Sequence, residues 1–444
     1  MGGGGGGEGA REALSSVRAL YNAVLIGGGA VTLPFWAVRA ATLPKWRAGL
    51  PQRLTGIGEG GSDPGARPIW VHAVSAGEAA AAKPIVDLLR AERPGWPVFF
   101  TTVTQTGQTV ARERLFPDLP VAYFPLDLPW AVGRSLSSVR PRAFVSLEKE
   151  IWPNFFWELA VRGIPSAIVN GRLTESSYRR NRRVLFLFRR VLPSISLFAM
   201  QAEGDAERMI ALGAPAERVH VTGNTKVDQV PSRVDASVVD ALRADLAVPA
   251  GTPVFVAGST HKGEERAAAL CHKELARSVE GAVTIVVPRH LERLPAIEAE
   301  LSELGLAWQR RTRVAGRREA GIVLLDTMGE LQSVYAIADV AFVGGTLAPI
   351  GGHNPLEPAA LGVPVLVGPH TDKCAEAVDM LMQAGGLVAV ADEGALCRAL
   401  LAWMADADAR GVAGRAAQGA VEGGRGATRK TVELLLPLVE KGDG

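Results

Sequence analysis

The stretch Ile69-Trp-Val-His-Ala-Val-Ser-Ala-Gly-Glu78 carries an apolar run to Ser75, passes a glycine, and sets Glu78 at the start of a helical pattern over residues 79–93. A lone carboxylate at the carboxyl end of a strand stands where open α/β sheets bind ligands, and it can take a proton from an incoming hydroxyl. The same residues, Ser75-Ala-Gly-Glu78, also read as a capping box. Capping and the helix dipole both favour the ionised form and predict a lowered pKa. Taken alone, the four residues favour that capping role.

Other strings sit at comparable places. Glu148-Lys-Glu-Ile-Trp-Pro-Asn154 follows a strand over 143–147, with Pro153 fixing a turn and Glu150 free to face a cleft. Thr222-Gly-Asn-Thr-Lys-Val-Asp228 closes the first half and offers Lys226 to an anionic group. In the second half, Phe342-Val-Gly-Gly-Thr346 runs a strand into glycines. Gly351-Gly-His-Asn-Pro-Leu-Glu-Pro-Ala359 then runs a glycine-rich loop into a helix, with Asn354 at a cap-like position and Pro355 just inside. Such a loop brings backbone N–H groups to a phosphate, and Glu357 can accept from ribose hydroxyls. The plainer alternative is a loop whose Glu complements the helix dipole. Pro288-Arg289-His290 follows another strand, where a guanidinium suits a phosphate. Met328-Gly-Glu330 opens a helix and offers backbone groups to a base or phosphate.

Between the halves of this set lies a basic segment, residues 170–190, in which seven arginines alternate with Leu, Phe and Tyr. Its amphipathic character fits an anionic membrane surface or a phosphorylated lipid, with a solvated helix as the plain alternative. The formal charge of +2 gives no overall basic bias, which argues against a nucleic-acid partner.

These residues need elements to hold them. Short apolar runs at 69–74, 98–103, 121–124, 143–147, 166–170 and 196–200 read as buried parallel strands separated by helices, among them 79–93 and 106–114. The character changes near 222–240. A second series follows at 253–257, 283–287, 322–325, 340–343, 363–367 and 387–390, with 310–321 as an arginine-rich exposed loop. At 444 residues and 48% apolar content, two domains are the natural reading. Cys271, Cys374 and Cys397 are odd in number and far apart, which argues for a reducing compartment and against a disulfide framework or zinc site. The absence of dense His/Asp clusters predicts no catalytic metal, and no cofactor is implied.

At the N-terminus, Gly2 to Gly7 predict a disordered tract within residues 1–18. Residues 19–38 form an uncharged run of bilayer length, broken by Asn22, three glycines and Pro34. Arg39, Lys45, Arg47 and Arg53 follow it, against Arg11 and Arg18 before it, which places the body on the cytoplasmic side. A secretory signal peptide and a helix lying in the interface compete with a spanning one.

Taken together the motifs resemble the bacterial 3-deoxy-D-manno-octulosonic acid (Kdo) transferases of lipopolysaccharide assembly. The matching strings are Ser75-Ala-Gly-Glu78, Glu150-Ile-Trp-Pro-Asn154, Asn170-Gly-Arg172, Gly223-Asn224 with Lys226, Pro288-Arg-His290, Asp326-Thr-Met-Gly-Glu-Leu331 and His353-Asn-Pro-Leu-Glu-Pro358, in order from about residue 17 to 430. The resemblance implies an α/β GT-B fold of two Rossmann-like domains facing a cleft. Residues 19–45 would be a membrane anchor or interfacial helix, 46–230 the acceptor domain and 231–440 the CMP-sugar domain. It further implies a metal-independent inverting glycosyltransferase at the cytoplasmic face of the inner membrane, moving Kdo from CMP-Kdo to a phosphorylated lipid A precursor.

By the same resemblance Glu78 would be the general base, with Glu150 and Lys226 stabilising charge. Pro288, Arg289, Met328, Gly329, Glu330, Asn354, Pro355, Leu356 and Glu357 would bind CMP. Arg172, Arg179, Arg180, Arg182 and Arg183 are the acceptor- and membrane-binding candidates. Glu148-Lys149 and the glycine tract depart from the family's pattern. The rival readings are a sugar-nucleotide epimerase of the same fold and a non-catalytic lipid-binding peripheral protein.

Overall fold

The computed structural model describes residues 5–42, 47–58, 66–314 and 316–441. Gly2, Gly3, Gly4 and Lys45 of the sequence reading lie outside them. The chain forms two units, Met1–Gln229 with Arg425–Gly444, and Val230–Gly424.

The first unit is built on seven parallel strands: β1 (Ile69–His72), β2 (Val98–Thr102), β3 (Val121–Tyr123), β4 (Ala143–Leu147), β5 (Ser166–Gly171), β6 (Leu197–Met200) and β7 (Val219–Val221). Their order is β3-β2-β1-β4-β5-β6-β7. Trp70 packs on one face with Phe99, Phe144 and Phe155, while Ile69 and Val71 pack on the other with Ile85 and Leu89. Burial on both faces is why these strands read as unbroken apolar runs. Edge strand β7 escaped the reading because its Val219-His-Val221 is short and largely exposed. Chain order reverses between β1 and β4, so their carboxyl ends border the place where such sheets leave room for a ligand.

The second unit repeats the design with β8 (Val254–Thr260), β9 (Val283–Pro288), β10 (Trp308–Arg310), β11 (Ile322–Leu324), β12 (Val340–Val343), β13 (Val365–Val367) and β14 (Leu387–Ala389). The order is β10-β11-β9-β8-β12-β13-β14, with its reversal between β8 and β12. The arginine-rich stretch 310–321 is less open than its composition suggests. Arg310 pairs with Glu298, and half-buried Arg311 reaches Asp245 at 3.0 Å and Glu330 at 3.2 Å.

Three further features differ from the sequence reading. The last helix, Ala427–Lys441, does not belong with the second unit. Val432, Leu435 and Val439 enter the core of the first, beside the helix Ala76–Glu92. Asp228, where the chain leaves the first unit, accepts from Gly426 and Thr428 N–H, each at 2.7 Å, and so caps the returning helix. Second, Cys271 and Cys397 are joined as a disulfide, Cα atoms 4.8 Å apart, against the expectation of unpaired cysteines. Nothing local signals that helices 126 residues apart in sequence are neighbours. Cys374 is free.

Third, a single helix spans Gly5–Thr42, running unbroken through Gly27, Gly28, Gly29 and Pro34, so residues 5–18 are helical rather than disordered. The segment Ser16–Phe35 within it is long and apolar enough to cross a membrane, with mean hydropathy 1.2. Its start is docked on the first unit. Arg18 pairs with Glu158 at 3.0 Å, Tyr21 donates to Asp127 at 2.9 Å, and Asn22 accepts from Asn154 at 2.6 Å. Beyond this collar Val24, Val31, Leu33 and Phe35 are exposed. Asp127 also accepts from the N–H groups of Asn154 and Phe155, which begin the helix after the Glu148–Trp152 turn. Replacing Tyr21 by Phe and Asn22 by Ala together is expected to lower the first unit's stability by about 1–3 kcal/mol. The thermal midpoint of detergent-solubilised protein measures this, and an unchanged midpoint would mean the collar contributes nothing.

Candidate active site

In the first unit the reversal of strand order gathers chemistry from three strand ends. Ser75 caps the helix after β1, its Oγ accepting from Glu78 N–H at 3.3 Å. Glu78 turns back in reply: Oε2 accepts from Val74 N–H at 2.7 Å, and Ser75 Oγ donates to Oε1 at 3.3 Å. The capping role is therefore real. The lowered pKa expected from it is not, because burial first and the negative charges of Glu148 and Glu150 next outweigh the capping bonds and push Glu78 up to about 7.

Glu148 and Glu150 come from the turn after β4. Glu148 sits at φ 60°, in the left-handed region that a non-glycine residue seldom adopts. Lys226, from the turn after β7, pairs with Glu148 at 3.0 Å. Burial and Glu148 raise the Glu150 carboxyl, partly offset by Lys149. The residue that looked like a departure from the family's pattern is thus the counterion of Lys226 and a neighbour of Glu78. Sequence reasoning missed its role because the partners lie 78 residues apart. Asn170, at the end of β5 with φ 50°, accepts from Thr225 N–H at 3.0 Å and so fixes the turn that carries Lys226.

Arg172 follows β5 and is half-buried. Arg179, Arg180, Arg182 and Arg183 are exposed on a helix and a 3-10 turn, Glu175–Asn181 and Arg182–Val184. A further helix, Leu185–Val191, turns Leu185, Leu187 and Phe188 onto the core and leaves Phe186 exposed. The segment is hence three short pieces rather than one long amphipathic helix. Within it Arg179 pairs with Glu175 at 2.8 Å, and Arg182 lies over Tyr178.

In the second unit the expected nucleotide residues cluster at the ends of β9, β11 and β12. Pro288 closes β9, and Arg289 next to it is exposed. Gly329 takes φ 88°, and Met328 beside it is 71% exposed. The Glu330 carboxylate is held by Arg311 and Thr327, so its backbone, not its side chain, is the part open to a ligand. Asn354 lies one residue before the cap, accepts from Leu356 N–H at 3.1 Å, and its amide donates to Glu357 at 3.4 Å. Pro355 is the N-cap residue of Leu356–Ala360, one position earlier than expected. Burial raises Glu357, opposed by the Asn354 hydrogen bond and by Arg289.

A residue that sequence reasoning overlooked organises this loop. Glu264 is 1% exposed and accepts five backbone N–H bonds, from His261, Gly345, Thr346, Leu347 and Ala348, all between 2.7 and 3.0 Å. The loop passes so close to β8 that a Cβ on Gly344 would meet Ser259 O at 2.4 Å. The available signal was the likeness between halves: a strand, a turn with glycine, then a Glu opening the helix, as at Glu78. No group of three or more His, Cys, Asp or Glu side chains among the described residues is arranged to hold a metal ion.

Residues 47–229 match the family described as 3-deoxy-D-manno-octulosonic-acid transferase (kdotransferase). A 3-deoxy-D-manno-octulosonic acid transferase of Haemophilus influenzae is 33% identical over 426 residues, covering 96% of this chain and 99% of the relative. One of Bordetella pertussis is 33% identical over 435 residues, covering 94% and 98%. Among solved structures, the UDP-GlcNAc 2-epimerase of Neisseria meningitidis bound to UDP-GlcNAc aligns with TM-score 0.56 at 15% identity, covering 83% of this chain and all of that one. At that identity the likeness speaks to fold alone, the GT-B pairing of two Rossmann-like domains.

Proposed function

The chain belongs to the 3-deoxy-D-manno-octulosonic acid transferase family and is a glycosyltransferase; from that premise we propose that it moves Kdo from CMP-Kdo to a phosphorylated lipid A precursor by a single displacement with inversion, with Glu78 as general base. The observation that carries this is the Glu78 carboxyl, pushed up to about 7 at the strand reversal of the first sheet. A base works best when its pKa lies near the operating pH, and this one accepts a proton far more readily than an ordinary carboxylate.

The acceptor hydroxyl attacks the anomeric carbon of Kdo as its proton passes to Glu78. The bond to the phosphate oxygen breaks, and CMP leaves with the electron pair. Lys226, held by Glu148, supplies positive charge beside the base for the substrate's carboxylate, and Glu150 helps keep Glu78 basic. Pro288, Arg289, the backbone of Met328, Gly329 and Glu330, and the Asn354–Glu357 turn bind CMP. Such a displacement uses no covalent enzyme intermediate.

The exposed apolar helix supports attachment to the inner membrane, and Arg39 beyond it supports a cytoplasmic body. Arg172, Arg179, Arg180, Arg182 and Arg183 would meet the phosphates of the acceptor and of the anionic surface, with exposed Phe186 beside them. Substituting Arg179, Arg180, Arg182 and Arg183 by Gln is expected to weaken the salt-sensitive part of binding to phosphatidylglycerol vesicles by up to about a thousandfold, at about 1 kcal/mol per arginine. Unchanged binding would remove this face from the proposal.

Incubating the purified protein with CMP-Kdo and lipid IVA tests the function itself. Mass spectrometry should find the lipid heavier by one or more Kdo residues, and a lipid of unchanged mass would overturn the assignment.

A further inference from the structure

Two imidazoles meet where strand order reverses in the second sheet. His261 follows β8 and His353 lies beyond β12. Their Nε2 atoms are 2.8 Å apart, and the rings are parallel within 5° with centroids 5.1 Å apart. So short a contact between such distant centroids places the rings end to end in one plane, as an N–H···N hydrogen bond requires, rather than face to face. One Nε2 carries a proton and the other accepts it.

The charges acting on the pair come from several elements. Arg289, His290 and Arg293 belong to the turn after β9, Lys373 to the loop after β13, and Glu264 to the helix after β8. Arg293 is paired with buried Glu265, and the Glu264 oxygens are taken by backbone N–H groups. Arg289 and Lys373 are exposed and in no ion pair among the described residues. Arg289 also acts on the half-buried Glu357 carboxyl of the helix after His353, which leaves Lys373 and the remainder of the Arg289 charge as the positive surroundings of the pair.

We propose that His261 and His353 form one proton-sharing unit that binds the phosphate of the leaving nucleotide and takes up a proton from solvent as that phosphate gains its second charge. The inference rests on the CMP reading of this site. In CMP-Kdo the phosphodiester carries one negative charge. When its bond to the sugar breaks, the electron pair stays on the phosphate oxygen and CMP leaves as a dianion. Burial, aided by the neighbouring cations, holds His353 down at about 4 and lowers His261, so the empty pair is uncharged near neutral pH. A dianion offsets those cations and reverses the balance. With a proton added, both rings present an Nδ1–H while the central hydrogen bond survives. The pair thus favours the charge that develops over the charge that arrives. The proton returns to solvent when CMP dissociates.

Titration calorimetry of the intact enzyme with CMP, in two buffers of different ionisation enthalpy near pH 7, tests this. The heats should differ by an amount corresponding to proton uptake, and affinity should rise by up to about tenfold per unit fall in pH, the slope for one proton. His261→Gln and His353→Gln should each abolish the uptake, and cytidine, which lacks the phosphate, should show none with the native enzyme. CMP bound without proton uptake, or with uptake unchanged in both variants, overturns the inference while leaving the donor site in place. No binding of CMP at all overturns the donor assignment on which it rests.

Discussion

Glu78→Gln is expected to lower Kdo transfer by roughly 10²–10⁴-fold, the usual contribution of a general base, while the protein folds and binds CMP as before. Gln is the informative replacement because it can also serve as the third residue of a capping box, keeping an oxygen for Val74 N–H. What it cannot do is take a proton. In the native enzyme kcat/KM should climb as pH rises through about 7, where Glu78 loses its proton, and level off above. The effect on stability has the opposite sense. The folded-state pKa lies above the ordinary carboxylate value, so the stabilising contribution is complete below that value and is lost as pH rises through about 7. Glu78→Gln should therefore be at least as stable as the native protein at pH 8 while nearly inactive. A variant that keeps transfer within a few-fold, with the same acid limb, would return Glu78 to capping alone.

The largest structural effect is expected from Glu264→Ala. Five backbone N–H groups would lose their acceptor at once. Each buried donor left unsatisfied costs about 1–3 kcal/mol, and even with water entering, the second unit should lose at least about 3 kcal/mol. Loss of CMP binding should accompany it, since the same carboxylate sets the course of the loop from Gly345 to Ala348. Glu264→Gln should fall between, because its amide keeps one acceptor oxygen but sets an NH2 among donors. Calorimetric unfolding measures both, and a Glu264→Ala shift below about 1 kcal/mol would refute this account of the loop.

Glu264 and Glu148 show what kind of residue escapes a linear reading. Both were visible as acidic residues at strand ends. Glu264 stands at a helix start, where a carboxylate ordinarily complements the dipole. Its five donors come mostly from a loop 81 to 84 residues away. Glu148 looked like a change of pattern until the fold brought Lys226 to it. The converse holds for Asn354, which meets the start of the following helix much as its neighbours in sequence suggest, because its side-chain oxygen and the Leu356 N–H it accepts from are two residues apart.

The sequence by itself determined the alternation of strands and helices, the turns that end them, and which chemical groups stand at strand ends. Those depend on periodicity, glycine and proline, and contacts a few residues long. Only the tertiary structure decided which strand ends are neighbours, and therefore that Glu148 faces Lys226, that His261 meets His353 across 92 residues, and that the last helix returns to the first unit. It also decided the character of Glu78. The capping box is a local motif and was legible. The raised pKa comes from burial and from carboxylates on another strand's turn, and neither desolvation nor a distant charge is written in the four residues Ser75 to Glu78.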